Sequence, residues 1–364
     1  MSVGLDERGL TLRIWNSHFV AAFFIQSGHG GQLNRRLEPF NKEPYMRRFF
    51  GGLLLTALVL SSASTARAAL YSQNFDTDDT VNWTTNDPGV TDTFVDYFYD
   101  YSAIGVTAAP GGVTTRGLKL TANNTNGVFG GFSVSPNGQN FTGSYRVSFN
   151  LWQNYAGPVG PGGNGTTQLS TFGVGTSGTT GIYPGVWSES VGFAATLDGG
   201  SSSDFRAYSS AAVTSYASGN AVYAAPGGAI NGSDAYYSGF GGAAAPAAQV
   251  LLYPNQTGVT DPGEIGFAWR NVTIDVSDVT NTAIWSIDGL KIAEVSLTGL
   301  NLGGGNIFFG HSDTNNGSST DPNRASLNVT LIDNVVVTAV PEPSALGLCL
   351  IGATVTLVRR RRRR

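Results

Sequence analysis

The chain has 364 residues, with 25 Asp/Glu, 21 Lys/Arg, 49 glycines and a single cysteine, Cys349. One cysteine excludes an intrachain disulfide framework and a Cys-based metal site. Leu70 to Val340 holds seven Lys/Arg against twenty Asp/Glu, a balance of −13; a section that acidic repels phosphate backbones, which argues against nucleic acid as a partner and suits a soluble extracellular protein.

In chain order, the first recognisable segment is "MRRFFGGLLLTALVLSSASTARAA". It opens at Met46 with Arg47 and Arg48, runs through an apolar stretch from Phe49 to Leu60, and ends in Ala66-Arg67-Ala68. Charge, apolar run and small-residue site in that order predict a secretory signal peptide over residues 46–68, cut by signal peptidase after Ala68, with Ala66 and Ala68 as the cleavage determinants. Such a signal normally opens its chain. Residues 1–45 therefore read as an extension ahead of a true start at Met46, or as a long signal extension.

Residues 69–338 read as one all-β domain of about a dozen short strands. In "SYRVSFNLW", Tyr145, Val147, Phe149 and Leu151 alternate with Arg146, Ser148 and Asn150, the period-two pattern of a half-buried strand. "NVTIDV" repeats it with Val272, Ile274 and Val276, and "AIWSIDGLKIAEV" predicts a hairpin turning at Asp288-Gly289. Further strands are expected at "LYSQNF", "FVDYFYDY", "GLKLTA", "VFGGFSV", "ESVGFAATL", "NIFFG" and "ASLNVTLIDNVVV". Many short antiparallel strands with turn signals between them predict a β-sandwich or jelly roll. The order Trp269 in "AWRNVTIDV", then Asp288-Gly289, then Asp333-Asn334-Val335 resembles the concanavalin A-like, laminin-G-like jelly roll over the last 75 or so residues of the body.

Two stretches read as loops: "AGPVGPGGNGTTQ" and the region from Gly199 to Ala248, with weak strands near Phe205 and Val222. The tyrosines of the second, Tyr208, Tyr216, Tyr223, Tyr236 and Tyr237, either form a stacking surface for sugars or pack the loop onto the sandwich.

The body offers little chemistry. Its one histidine, His311, reads as a loop residue, and no G-x-S-x-G elbow accompanies it. Concanavalin-like glycosidases carry paired carboxylates on one strand, and Glu189, Glu264 and Glu294 lie in no such context. A non-catalytic domain is expected, with a divergent concanavalin A-like polysaccharide hydrolase as the alternative. No cofactor is required; calcium is the one candidate, since "HSDTNNGSSTDPN" gathers Asp313, Asn315, Asn316 and Asp321 as oxygen donors, and a purely structural loop is the competing reading. Asp333 shares its phase with Leu327, Val329, Leu331, Val335 and Val337, so either a bulge at Ile332 turns it outward or it has a hydrogen-bonded or metal partner, for which Asp76, Asp78 and Asp79 are candidates.

Residues 339–364 close the chain with Pro341-Glu342-Pro343, an apolar run from Ala345 to Val358 and six arginines. Fourteen residues span about 21 Å as a helix, short of the ~30 Å hydrocarbon core, and the arginines fix the cytoplasmic side. The prolines hold Glu342 extended and open to a protease. This layout resembles the PEP-CTERM sorting signal of exopolysaccharide-producing bacteria. The resemblance implies processing by the membrane protease exosortase near Pro341, Glu342 and Pro343, membrane contact through the apolar segment before processing, and a final place in the cell envelope, at the surface or in the extracellular matrix, with polysaccharide as a partner.

Overall fold

A computed structural model describes residues 3–6, 9–12, 69–89, 92–122, 125, 130–157, 168–197, 201–313 and 321–340. Ala66, Ala68, Asn315 and the Pro341-Glu342-Pro343 motif lie outside the described residues. The chain divides into two units, Met1–Thr65 and Ala66–Arg364. In the first, β1 (Val3–Asp6) and β2 (Gly9–Leu12) pair antiparallel.

The second unit holds β3 (Ala69–Gln73), β4 (Trp83–Asn86), β5 (Phe94–Asp100), β6 (Arg116–Thr121), β7 (Gly131–Pro136), β8 (Tyr145–Asn154) and β9 (Gln168–Thr176). Then come β10 (Val191–Thr196), β11 (Phe205–Ser209), β12 (Arg270–Ser277), β13 (Thr282–Ile287), β14 (Leu290–Ser296), β15 (Asn306–Asp313) and β16 (Val329–Ala339). Two short helices, α1 (Ala247–Leu252) and α2 (Arg324–Leu327), lie in the connections. A six-stranded sheet has the order β11-β10-β9-β15-β7-β4, and an eight-stranded sheet the order β14-β13-β12-β8-β16-β6-β5, with β3 also pairing β16. Every pairing is antiparallel. Two packed antiparallel sheets make this the β-sandwich of the jelly-roll class. Among the described residues, no helix is long and apolar enough to cross a membrane.

The core lies between the sheets, where Phe149 meets Phe172 and Phe309 edge-on at 5.2 and 5.0 Å and Trp285 packs on Phe193 at 5.2 Å. Alternation along each strand sends the intervening residues to the outer faces, and both outer faces carry a smaller core of their own. On the six-stranded sheet it is Leu169, Trp187, Ala194, Tyr208 and Phe308; on the eight-stranded sheet it includes Tyr101, Trp152, Leu327, Val329 and Leu331. The predicted hairpin forms β13 and β14, and positive φ at both Asp288 (49°) and Gly289 (82°) matches a type I′ turn.

Three elements differ from expectation. "QLSTFGVGT", unassigned in the sequence, is β9 at the middle of the six-stranded sheet. "ASL" before β16 is the short helix α2. In β16 the register breaks between Asp333 and Val336, with Asn334 at φ 50°. The bulge therefore follows Asp333, not Ile332. It reverses the phase of the strand: Val329 and Leu331 belong to the outer core, Val335 and Val337 to the core between the sheets.

Candidate functional site

Of the predicted calcium donors, Asp321 and Asp333 have described side chains. Asp313 ends β15 in the six-stranded sheet, whereas Asp333 lies on the outer face of the eight-stranded sheet beside Leu331. Asp321 is buried and uses Oδ1 to accept the Asn323 amide at 2.7 Å, a turn that leads into α2. Among the described residues, no group of three or more His, Cys, Asp or Glu side chains could hold a metal ion.

Asp333 instead has protein partners. Its Oδ2 accepts the Tyr101 hydroxyl at 3.0 Å and its Oδ1 the Asn334 amide at 2.6 Å. Burial pushes its carboxyl up to about 6, against the lowering effect of these hydrogen bonds, and the nearby Asp76 adds to the rise. The "FDTDD" carboxylates are engaged locally: Asp76 accepts from Thr114 and Asn74, Asp78 from Thr80, and Asp79 from Gln73 and Asn82.

His311 is not a loop residue. It faces the interior from β15, wholly buried, with Nδ1 2.9 Å from Thr330 Oγ1 and Nε2 2.6 Å from Gln168 Oε1. Burial pushes the imidazole down to about 3, so it is neutral at ordinary pH. The β9 side chain Ser170 reaches Thr330 at 2.6 Å, which links the four residues Gln168, His311, Thr330 and Ser170 in a polar layer closed to solvent.

Each glutamate of the body is committed. Glu189 Oε1 accepts from Thr176 Oγ1, the Ser177 amide and Ser177 Oγ at 2.7–2.8 Å. Glu294 pairs with Lys291 three residues away on β14. Glu264 is buried and hydrogen-bonded to the buried Asp204. Asp204 also accepts the Gly232 amide at 2.7 Å and the Thr196 hydroxyl at 2.9 Å, and burial raises its pKa. Gly232 has no room for a side chain, because an added Cβ would lie 2.2 Å from Glu264 Oε1. The Asp204–Glu264 contact thus fastens the loop before β12 to the start of β11.

The tyrosines between Phe205 and Ala248 pack this stretch down. Tyr208 stacks on Trp187 at 4.4 Å, Tyr237 stacks on Phe205 at 4.3 Å, and Tyr223 donates to the Tyr216 carbonyl at 2.7 Å. Tyr216 and Tyr236 are partly buried against the main core. These contacts match the packing reading, and none of the five rings is an exposed platform.

Sequence reasoning missed a different aromatic surface, on the edge strand β5 and its neighbour β6. Lys119 of β6 places Nζ 4.4 Å from the Tyr99 ring centroid and 5.9 Å from that of Phe94. Phe94 is 53% exposed, whereas Lys119 is only 7% exposed, so the rings roof the lysine. Three residues earlier on β6, Arg116 lies 4.3 Å over the Phe98 ring and pairs with Asp100 at 3.7 Å. The signal available in the sequence was a lysine in the middle of the apolar run "GLKLTA" opposite the aromatic-rich "FVDYFYDY".

No family model matches the chain, and no curated protein matches it. Solved structures do. A protein of unknown function with a galectin-like fold from Bacillus subtilis aligns with a TM-score of 0.40 at 11% identity, over 74% of this chain and 96% of that one. A legume lectin-like domain from Entamoeba histolytica gives 0.35 at 8% identity, over 72% and 92%. A β-glucanase from Bacillus licheniformis gives 0.33 at 12%, over 74% and 98%. Likeness at these scores assigns neither ligand nor activity to this chain.

Proposed function

We propose that this chain is an exported, non-catalytic protein of a bacterial cell surface or extracellular matrix, whose sandwich associates with polysaccharide. The observation that carries the non-catalytic part is the state of its glutamates. A glycosidase needs two carboxyl groups facing an open cleft, about 5–5.5 Å apart for retention or 6.5–9.5 Å for inversion. Here Glu189 is fixed by three donors, Glu294 by a lysine, and Glu264 is hydrogen-bonded to Asp204 with both side chains buried. His311 has no solvent access. The address comes from the sequence: a signal peptide ending at Ala68, and a tail from Pro341 to Arg364 suited to exosortase-type processing.

Two measurements test the reading. Intact mass of protein released by cells with and without the sorting protease should show a chain that begins at Ala69 and lacks the terminal arginines; Arg364 in released protein would contradict it. Incubation with polysaccharides should give binding without new reducing ends. Turnover that disappears when Glu189, Glu264 or Glu294 is changed to Gln, with folding retained, would establish the hydrolase alternative instead.

A further inference from the structure

We infer that the outer surface of the β5 edge, built on Phe94 and Tyr99 above Lys119, is the contact site for a neutral polysaccharide chain. This deepens the polysaccharide reading above and rests on it.

The first ground is how the rings are held. An ammonium is drawn to the negative face of an aromatic ring, and Lys119 lies within that reach of both Tyr99 and Phe94 while being almost fully covered itself. The attraction comes from beneath the rings. It holds them toward the sheet, with Phe94 mostly in solvent and Tyr99 half-buried against the outer core. Tyr253 sits close enough to act electrostatically on the Tyr99 phenol and is itself only partly buried, so the aromatic surface continues past the strand. A flat apolar face with a polar rim is the complement of a pyranose ring, whose C–H groups form an apolar face and whose hydroxyls project around it.

The second ground is charge. Asp96 stands opposite Lys119 in the β5–β6 register and acts on it electrostatically, and Arg116 pairs with Asp100. Each cation therefore faces a carboxylate of β5, and Asp92, two residues before Phe94, accepts from the Thr125 amide and hydroxyl. The surface offers no uncompensated positive charge to an anionic polymer, which selects a neutral chain.

The third ground is what the edge rejects. An edge strand invites a second strand, but β5 carries a register break between Asp96 and Tyr99, and Asp96 uses Oδ1 to accept the Phe98 amide at 2.9 Å. A bulged edge bearing Asp96 and Asp100 pairs poorly with another copy. The same carboxylates make the surface a poor fit for lipid.

Affinity electrophoresis in gels containing dextran, galactomannan, cellulose derivatives or alginate separates the outcomes. The protein should be retarded by at least one neutral polymer and not by alginate. Phe94→Ala and the double change Phe94→Ala with Tyr99→Ala should weaken that retardation progressively, the double by about tenfold or more in Kd, with the melting temperature of the single variant unchanged. Retardation that survives both changes overturns this site and leaves the polysaccharide reading intact. Retardation by alginate alone overturns the neutral specificity, and no retardation in any gel overturns the polysaccharide reading with it. Binding to phosphatidylcholine vesicles, or self-association abolished by Phe94→Ala, would assign the surface to lipid or to a second copy.

Discussion

The two outer faces of the sandwich are finished differently. On the six-stranded sheet the row Arg206–Ala194–Thr171–Gly310–Ser133–Asn86 is a floor of mostly small residues, and the connection between β9 and β10 lies on that face. Trp187 from that connection packs so closely that a Cβ on Gly192 would lie 2.1 Å from its ring. The eight-stranded sheet is covered at one end by Tyr101, Leu327 and their neighbours, but its β5 edge keeps Phe94 in solvent. One face is closed by apolar contact and the other leaves an aromatic rim open. Availability, more than aromatic content, distinguishes them: Trp187, Tyr208 and Phe308 are fully buried.

The largest expected effect concerns the layer beneath both faces. His311 is held neutral, with its folded pKa near 3 against an ordinary 6.5. Because the depressed value belongs to a base, its contribution is fully present above pH 6.5 and is lost as pH falls toward 3, a total of up to roughly 5 kcal/mol. Urea unfolding across that range should show the loss, and His311→Gln should flatten it; an unchanged acid limb in the variant would contradict the assignment.

Next is the closed face. Trp187→Ala should cost about 3–5 kcal/mol, read by denaturant midpoint, because the ring is wholly buried between Tyr208 and Phe308. A cost under ~1 kcal/mol would mean that the loop merely rests on the sheet and that both faces are equally open.

Asp333 sharpens the comparison on the covered end of the other face. Its raised pKa, about 6, belongs to an acid whose neutral form the fold favours. That stabilisation is full below the ordinary value of 3.8 and is lost as pH rises through 6, roughly 3 kcal/mol in all. Asp333→Asn should remove this part of the pH dependence between pH 3.8 and 6, measured by melting temperature, while His311 supplies the opposite slope. The smallest effect is expected at the open rim. Phe94→Ala should change stability by less than ~0.5 kcal/mol, since the ring is mostly in solvent.

How much of this was legible follows from which faces are polar. β8 could be read because Arg146 and Ser148 face outward between buried Tyr145, Val147 and Phe149. β9 could not, because it is buried on both sides: Ser170, Phe172 and Val174 inward, Leu169 and Thr171 outward. No alternation remains, and a serine sits inside. His311 continues the phase of Ile307 and Phe309, a signal that was present, but a lone histidine beside Gly310 and Ser312 reads as the start of a turn. The phase of Asp333 was misread because the bulge at Asn334 cannot be seen in a strand of β-prone residues. Asp204 and Glu264 are joined only after the excursion between them folds back, and the roof over Lys119 exists only once β5 pairs with β6.

Hydrogen–deuterium exchange with and without the neutral polymer that retards the protein tests the open-rim account most directly. Amides in residues 94–100 and 116–121 should gain protection, while those in 177–196, beneath and around Trp187, should not change. Protection appearing in 177–196 with 94–100 unaffected would place the ligand on the closed face and contradict the account.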